Sequence, residues 1–216
     1  MRVAASGVSA LLRTTAGLLH ERTVLGRRAV ILANWFAEFA PPGARILDVG
    51  CGDGAIASLI ATARSDVTIE GVDVLVRAET RVPVTWYDGV HIPFDDDSFD
   101  LVMFSDVLHH VDDPGALQIE ARRIARRHVL IKDHRVEGIA AAARLRFMDQ
   151  IGNARFGVSL PYNYWCEAQW DAAWRTIGLY PERVVTELGL YPWPLDALFG
   201  AHLHFIALLR KGDATP

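Results

Sequence analysis

Apolar residues before the main fold, between residues 21 and 39, have the spacing of a helix. Between residues 21 and 39, apolar side chains such as Leu32, Trp35 and Phe36 recur at every third or fourth position, so they share one helix face. The Pro-Pro-Gly sequence at residues 41–43 ends this pattern, because proline and glycine both interrupt helices. We therefore expect a helix ahead of the main fold.

Short apolar runs separated by helical patterns follow that helix. The predicted strands cover residues 45–49, 67–72, 82–87, 100–104 and 128–132. The predicted helices between them cover residues 55–63 and 113–127, and the second begins with a capping Asp113 followed by Pro114. Strands that are apolar throughout and alternate with helices predict a parallel sheet covered on both faces.

The last third of the chain predicts an insertion and a closing pair of strands. Helices are expected at residues 137–150, stopped by Gly152, and at residues 167–177, ended by Gly178, with an aromatic-rich loop at 153–165. Strands are expected at 183–188 and 204–209, joined by the long segment 189–201. We interpret the chain as one domain, 1–216. Its parts are a helical arm (1–42), a core (43–134), an insertion or lid (135–165) and a C-terminal helix with a strand pair (166–216).

The strongest functional signal is the glycine-rich turn after the first strand. Residues 46–54 read Ile-Leu-Asp-Val-Gly-Cys-Gly-Asp-Gly. Glycine allows a ligand to approach the main chain closely, because it has no Cβ. Asp73 and Asp88 end the second and third strands, where carboxylates can accept ribose hydroxyls and the adenine amine. The pattern therefore predicts an adenosine-containing ligand at the carboxyl ends of the strands.

These motifs resemble class I S-adenosylmethionine-dependent methyltransferases. Residues 46–54 resemble the first motif of that family, and the segments 92–94, 98–102 and 106–111 resemble its type 11 subgroup, which includes quinone-ring and sterol methyltransferases. The resemblance covers roughly residues 45–133. It implies a Rossmann-like three-layer α/β sandwich with a mostly parallel seven-stranded sheet and an antiparallel last strand. It also implies one bound S-adenosylmethionine, the product S-adenosylhomocysteine and no metal requirement.

The same resemblance implies the cofactor contacts. Gly50 and Gly52 would line the methionine part, and Asp48 would support the glycine loop. Asp73 would bind the ribose, Asp88 would bind the adenine, and Ser105 would lie near the sulfonium. The expected cofactor-binding residues are Asp48, Gly50, Cys51, Gly52, Asp73, Val74, Asp88, Gly89 and Ser105.

The acceptor side is predicted from residue chemistry. Methyl transfer from a sulfonium depends mainly on alignment, and a base is needed only when the acceptor must lose a proton. His134, and after it His109 and His110, are the candidate bases, because they follow predicted strands and histidine titrates near neutrality. Tyr162 and Tyr164 are candidate walls of an apolar or aromatic acceptor pocket. The loop aromatics fit a small core of the insertion equally well.

Two other functions fit part of this pattern. Gly50, Gly52 and Ala55 satisfy the loose dinucleotide fingerprint of a dehydrogenase. Three observations count against a dehydrogenase. Asp48 lies inside the leading strand, the chain has no room for a separate substrate domain, and no tyrosine is followed four places later by lysine. A methyltransferase-like module that binds without catalysing is the second alternative.

Composition narrows the choice of partners and compartment. A net charge of -4 and a pI near 6.0 argue against a general nucleic-acid binder. The two cysteines form no metal or disulfide pattern, so a reducing cytoplasm is expected. No apolar stretch is long enough to span a bilayer, so no membrane span is expected. The expected partner is a small-molecule acceptor. The sequence leaves the oligomeric state open.

Several further residues have an expected role or environment. Arg22, Arg27 or Arg28 in the N-terminal arm are candidates to meet the cofactor carboxylate. His202 and His204 are expected to share a strand face as packing residues rather than metal ligands. Asp95, Asp96 and Asp97 are expected in a solvated loop. The solvated face of a helix is expected at Arg122, Arg123, Arg126 and Arg127.

Overall fold

The computed structural model describes residues 26–153, 161–200 and 202–212. The helices are α1 (Gly26–Phe39), α2 (Ala55–Ala63), α3 (Pro114–Ile124), α4 (Ala141–Asn153) and α5 (Glu167–Ile177). The strands are β1 (Arg45–Val49), β2 (Thr68–Asp73), β3 (Val84–Trp86), β4 (Phe99–Ser105), β5 (Ala125–His134), β6 (Leu179–Val185) and β7 (His204–Lys211). A 3-10 turn covers Leu108–His110, and a π-helical turn covers Asp196–Gly200.

The seven strands form one sheet in the order β3-β2-β1-β4-β5-β7-β6. Strands β1 to β5 pair in parallel, and β7 runs antiparallel to both β5 and β6. This confirms the predicted Rossmann-like sheet with its antiparallel last strand. The glycine turn, Asp73, Ser105 and His134 all lie where parallel strands end. We call this side of the sheet the carboxyl edge; ligands of such sheets bind there, where the strand order reverses between β1 and β4.

Alternate residues of each central strand pack on opposite faces of the sheet. Leu47 and Val102 face the layer that contains α3 and α5, while Ile46 and Leu101 face α1 and α2. This alternation follows from the two-residue period of a strand, and it explains why the central strands are apolar throughout. A third, small cluster of Ala141, Leu145 and Leu203 holds α4 against the sheet end.

The predicted helix at 113–127 is too long. Helix α3 ends at Ile124, and β5 begins directly at Ala125, which is buried and pairs with Phe99 of β4. Strand pairing therefore overrides the helical run. The expected face of four arginines does not form, because Arg126 lies in the strand and pairs with Asp100.

Helix α4 and the closing strands also differ from the prediction. Strand β6 starts at Leu179 rather than residue 183, because Gly178 (φ 72°) ends α5 and Leu179 pairs at once with Lys211. Helix α4 starts at Ala141 rather than residue 137, because Gly138 has a left-handed backbone (φ 85°). Gly152, the predicted stop, lies inside α4. His202 precedes β7 in a left-handed turn (φ 63°), so it shares no strand face with His204.

The predictions at the edges of the described ranges are tested only in part. The N-terminal helix was expected from residue 21, and residues 21–25 lie outside the described residues, as do residues 154–160 of the aromatic loop. Across the described ranges, no helix combines the length and the apolar character needed to cross a bilayer.

Candidate cofactor and acceptor site

The turn between β1 and α2 is built from left-handed glycines. Gly50, Gly52 and Gly54 have φ angles of 72°, 61° and 74°. The amide of Gly50 donates to the carbonyl of Val72 at 2.8 Å, which fixes the turn against β2. A Cβ on Gly50 would lie 2.7 Å from Cγ2 of Val107 in the segment after β4. Glycine is therefore required here both by backbone conformation and by space.

Asp73 holds the glycine turn in place. Its Oδ2 accepts a hydrogen bond from the amide of Gly52 at 2.8 Å, and its Oδ1 accepts one from Leu75 at 2.8 Å. An ionised carboxylate offers about four acceptor positions, so both oxygens retain capacity for ribose hydroxyls.

Asp48 lies buried in β1 behind the same turn. Burial, followed by the nearby charge of Asp73, raises the pKa of Asp48 to about 8. The carboxyl is therefore mainly protonated at neutral pH. Burial and the same carboxyl groups also raise the pKa of the Cys51 thiol, and Sγ of Cys51 fills the space above Gly71. Cys51 thus packs the turn and is a poor nucleophile.

Asp48→Asn is expected to remove a pH-dependent loss of stability. The folded pKa of Asp48 lies above its unfolded value, so the folded state binds the extra proton between about pH 4 and pH 8, and stability falls as pH rises through that window. The slope from this group is at most about 1.4 kcal/mol per pH unit. Denaturant unfolding of both proteins from pH 4 to 8 measures the difference, in which the other titrating groups cancel. Parallel stability curves would contradict the buried, protonated state.

The residues predicted to bind the adenine lie around the ends of β2 and β3. Oδ1 of Asp88 accepts hydrogen bonds from the amides of Val90 and His91, which lower the pKa of Asp88. A Cβ on Gly89 (φ 88°) would lie 3.4 Å from Cγ1 of Val74, whose side chain is exposed. The structure therefore brings Val74 and Gly89 side by side next to the two strand-end acids.

Strand β4 ends at Ser105, the residue predicted to lie near the sulfonium. Oγ of Ser105 is buried and has no hydrogen-bond partner within the described residues. The next residue, Asp106, adopts a left-handed backbone and forms ion pairs with Arg28 (2.5 Å) and with Lys132. Arg28 thus brings the N-terminal helix to this edge, where it pairs with Asp106; its predicted contact with the cofactor carboxylate stays a prediction. Arg27 is exposed, and Arg22 lies outside the described residues.

Two buried histidines share one carboxylate beside Asp106. Oδ1 of Asp133 lies 2.6 Å from Nδ1 of His109 and 3.4 Å from Nδ1 of His134, and the two rings are 4.4 Å apart. Oδ2 of Asp133 accepts the amide of Leu108 at 3.0 Å. All these side chains are nearly inaccessible to solvent. One aspartate therefore orients both imidazoles.

Helix α4 adds a second carboxylate to this group. Oδ2 of Asp149 lies 3.5 Å from Nε2 of His109 and accepts a hydrogen bond from the hydroxyl of Tyr164. Tyr164 also packs on the small cluster of Leu145 and Leu203, whereas Tyr162 is half-buried against Arg146. The two tyrosines that the sequence singled out thus have different environments. We use the name histidine cluster for His109, Asp133, His134 and Asp149.

The charge state of the cluster follows from burial and from its two carboxylates. Burial lowers the pKa of His134 to about 4, and neighbouring His109 and Lys132 add to this effect. Burial also opposes the charged form of His109, but the contact with Asp133 outweighs it and raises the pKa of His109. His110 is half-buried, and its ring centroid lies 3.9 Å from that of His109 with the ring planes tilted by 46°. Burial and neighbouring His109 lower the pKa of His110.

The structure brings the three predicted histidines together and adds residues that the sequence did not select. Asp149 was missed because it lies in an amphipathic helix without a motif. The sequence placed Lys132 in a strand and predicted His204 to be a packing residue. In the structure, Nζ of Lys132 lies 3.1 Å from Nδ1 of His204. The available signal was the run of three ionisable residues at 132–134 ending an otherwise apolar strand.

Comparison with known proteins identifies the family to which this chain belongs. A family model described as a methyltransferase domain matches residues 24–206. The 27-O-demethylrifamycin SV methyltransferase of Amycolatopsis mediterranei is 32% identical over 97 residues, which cover 39% of this chain and 35% of that protein. The ubiquinone biosynthesis O-methyltransferase of Paracidovorax citrulli is 31% identical over 106 residues, covering 43% of this chain and 44% of that protein. The chain thus aligns with less than half of these relatives.

Solved structures share the fold at low identity. A SAM-dependent methyltransferase from Aquifex aeolicus superposes with a TM-score of 0.56 at 18% identity, covering 82% of this chain and 87% of that one. Geranyl diphosphate C-methyltransferase from Streptomyces coelicolor, bound to Mg²⁺, a substrate analogue and S-adenosylhomocysteine, has a TM-score of 0.60 at 15% identity, covering 83% and 75%. With the family match across most of its length, this chain belongs to the class I S-adenosylmethionine-dependent methyltransferases.

Proposed function

We propose that this chain catalyses transfer of the methyl group of S-adenosylmethionine to a small-molecule acceptor held at the histidine cluster. The observation that carries this proposal is the position of the cluster. Two oriented imidazoles and Asp149 lie beside the end of β4, on the same edge as the glycine turn and next to Ser105, whose hydroxyl is free of partners among the described residues. Activating groups and a cofactor cradle therefore meet at one edge of the sheet.

We propose that the cofactor binds in extended form along this edge. We assign its methionine part to Gly50, Gly52 and the turn supported by Asp48 and Cys51. The ribose falls to Asp73 and the adenine to Val74, Asp88 and Gly89. Ser105 then lies beside the sulfonium. Cationic S-adenosylmethionine suits this region, because Asp73 and Asp88 carry negative charge at its rim.

The histidines are proposed to activate the acceptor. Asp133 holds Nδ1 of His109, so its Nε2 is the nitrogen left to act, and no described residue forms a hydrogen bond with that nitrogen. His134, the first choice from sequence, is oriented by the same carboxylate. We therefore place His109 ahead of His134, and give His110 a supporting role through the contact of its ring with that of His109.

The acceptor is proposed to be an apolar or aromatic molecule bearing a hydroxyl group. The two curated relatives described above are named for methylation in rifamycin and ubiquinone biosynthesis, and the second is named an O-methyltransferase. A hydroxyl needs help to lose its proton, which suits a site with buried imidazoles. Action on nucleic acid is not expected, and a cytoplasmic location stays a prediction.

Ligand-dependent melting tests the cofactor assignment. S-adenosylmethionine and S-adenosylhomocysteine should raise the melting temperature, because ligands that bind the native state stabilise it, whereas NADH should leave it unchanged. At 100 times the dissociation constant the stabilisation is about 2.7 kcal/mol. Stabilisation by NADH alone would revive the dehydrogenase alternative. Binding of S-adenosylmethionine without transfer to pools of phenols and alcohols would instead favour the non-catalytic module.

Tyr162 and Tyr164 are proposed to contact the acceptor, and a pair of variants tests this. Tyr162→Ala and Tyr164→Phe should both leave the affinity for S-adenosylhomocysteine nearly intact, because neither ring lies at the glycine turn. Methyl transfer should fall by up to about 10²-fold, the cost of misplacing an acceptor by about 1 Å. Calorimetry and single-turnover assays give the two numbers. Parallel loss of stability and cofactor binding in both variants would identify the loop as packing alone.

A further inference from the structure

We propose that His109, His134 and Asp149 together bind one divalent transition-metal ion. Each offers one ligand atom, these atoms lie within 4.8 Å of one another, and all three residues are buried. The family resemblance implied no metal requirement, and the sequence contains no sign of this site, because Asp149 lies far from the histidines along the chain and carries no motif. The three ligands come together only in the folded structure, where α4 packs over the ends of β4 and β5.

Asp133 leaves one ring nitrogen of His109 available to a metal. Oδ1 of Asp133 lies 2.6 Å from Nδ1 of His109 and favours the proton on that atom, so Nε2 of His109 carries the lone pair. Nδ1 of His134 lies 3.3 Å from Nδ1 of His109 and 3.4 Å from the same oxygen. Nε2 of His109 is buried without a hydrogen-bond partner within the described chain, which is costly unless something binds it.

The spacing of the ligand atoms matches a coordination sphere. Nε2 of His109 and Oδ2 of Asp149 are 3.5 Å apart. Two ligands that each lie about 2.1 Å from a metal are separated by roughly 3.0–3.4 Å at octahedral or tetrahedral angles. The pair therefore needs only a few tenths of an ångström of adjustment to bind an ion.

The ligands also have the outer partners typical of metal sites. A metal-bound histidine usually donates its other N–H to a carboxylate, and Asp133 provides that acceptor for His109. Ligating carboxylates are usually hydrogen-bonded in turn, and the hydroxyl of Tyr164 donates to Oδ2 of Asp149. Tyr164 and Asp133 thus act as positioning residues for the ion.

A neighbouring triad competes for His134 but already contains cations. Asp106, His134 and His204 also have ligand atoms within 4.8 Å of one another. Nζ of Lys132 lies against both Asp106 and Nδ1 of His204, and Arg28 pairs with the other oxygen of Asp106. An ion there would have to displace two basic side chains. The triad containing Asp149 is therefore the better site.

The donor set indicates the class of ion. Two imidazoles and one carboxylate suit Zn²⁺, Fe²⁺ or Co²⁺, whereas Mg²⁺ prefers oxygen ligands. Three protein ligands leave positions open for an oxygen of the acceptor, whose hydroxyl the ion would acidify. This last step rests on the proposed methyltransferase function, whereas binding of the ion does not.

Metal titration of the chelator-treated full chain tests the site without cofactor or acceptor. Calorimetry with Zn²⁺ and visible absorption with Co²⁺ should show one ion per chain and no comparable binding of Mg²⁺. His109→Asn should abolish metal binding, because the ligand atom Nε2 is gone. The amide of the new asparagine can still donate to Asp133, so the fold should be preserved. Asp149→Asn should do the same, and Tyr164→Phe should weaken binding by roughly 10–100-fold.

Matched histidine variants separate this site from its alternatives. His204→Gln removes a member of the neighbouring triad and should leave Zn²⁺ affinity unchanged, as should His128→Gln near the opposite edge. Loss of binding in His204→Gln with retention in His109→Asn would overturn the assignment. So would equal affinity for Mg²⁺, or Zn²⁺ binding by a His109→Asn protein that melts like wild type. These outcomes do not depend on turnover, so failure of the proposed methyltransferase function would be distinguishable.

Discussion

Methyl transfer by the His109→Asn variant is expected to fall by about 10²–10⁴-fold, the range associated with loss of an activating side chain. Asparagine places an amide close to the position of Nδ1, so the hydrogen bond to buried Asp133 can persist. Nε2 is lost, and with it the atom that faces Asp149 and that we propose activates the acceptor. Affinity for S-adenosylhomocysteine should stay within about twofold, because the glycine turn and Asp73 do not touch this ring.

A histidine from the other end of β5 provides the control for this variant. His128 is largely buried and pairs with Glu182 at 3.2 Å, far from the carboxyl edge along the same strand. His128→Asn should therefore retain wild-type turnover. Single-turnover assays at saturating cofactor measure the chemical step for both variants. Near-normal turnover in His109→Asn would remove His109 from the mechanism, and a loss confined to the KM for the acceptor would indicate binding rather than activation.

The geometry of the proposed cofactor half was predictable because its residues lie in or directly after successive strands. The turn at residues 46–54 is built from left-handed glycines, and Asp73 and Asp88 lie at the ends of strands that the apolar pattern already predicts. Local sequence and local structure agree here, since the β1–α2–β2 unit carries both the turn and Asp73. The structure adds the detail that Asp73 already holds the amide of Gly52.

The acceptor half was only partly predictable because distant elements build it. Arg28 comes from α1, Asp149 from α4 and His204 from β7, and no spacing rule links these positions to His109. Asp149 meets His109 only through the docking of α4 on Leu145 and Leu203. Such contacts depend on tertiary packing, which periodicity alone does not encode.

The misplaced boundaries have the same physical origin. Ala125 could continue a helix, but its pairing with Phe99 places it in a strand. Leu188 was expected at the end of a strand, yet it is buried in the cluster around α1, where its carbonyl accepts the indole N–H of Trp35 at 3.2 Å. In both cases a tertiary contact outweighs a local preference of a few tenths of a kcal/mol.

Gly50→Ala is expected to cost both stability and cofactor affinity. A non-glycine residue at φ 72° costs about 1–2 kcal/mol, and the new Cβ would lie 2.7 Å from Cγ2 of Val107, which adds about 1–3 kcal/mol of overpacking. For a domain of this size that loss lowers the melting temperature by roughly 5–15 °C. Moving the turn away from Val107 displaces the amides around the methionine part, so affinity for S-adenosylhomocysteine should fall at least about tenfold.

Gly43→Ala separates backbone strain from crowding in this experiment. Gly43 has a similar φ of 66°, but no atom lies within 4 Å of its virtual Cβ, so Gly43→Ala should show the strain alone and leave cofactor affinity unchanged. Adding Val107→Ala to Gly50→Ala should recover part of the stability, because it removes the two methyl groups that the new Cβ would meet. Equal melting temperatures for Gly50→Ala and Gly43→Ala would show that the turn does not press on Val107. The coupling between these two substitutions measures how closely the glycine turn packs on the segment that follows β4.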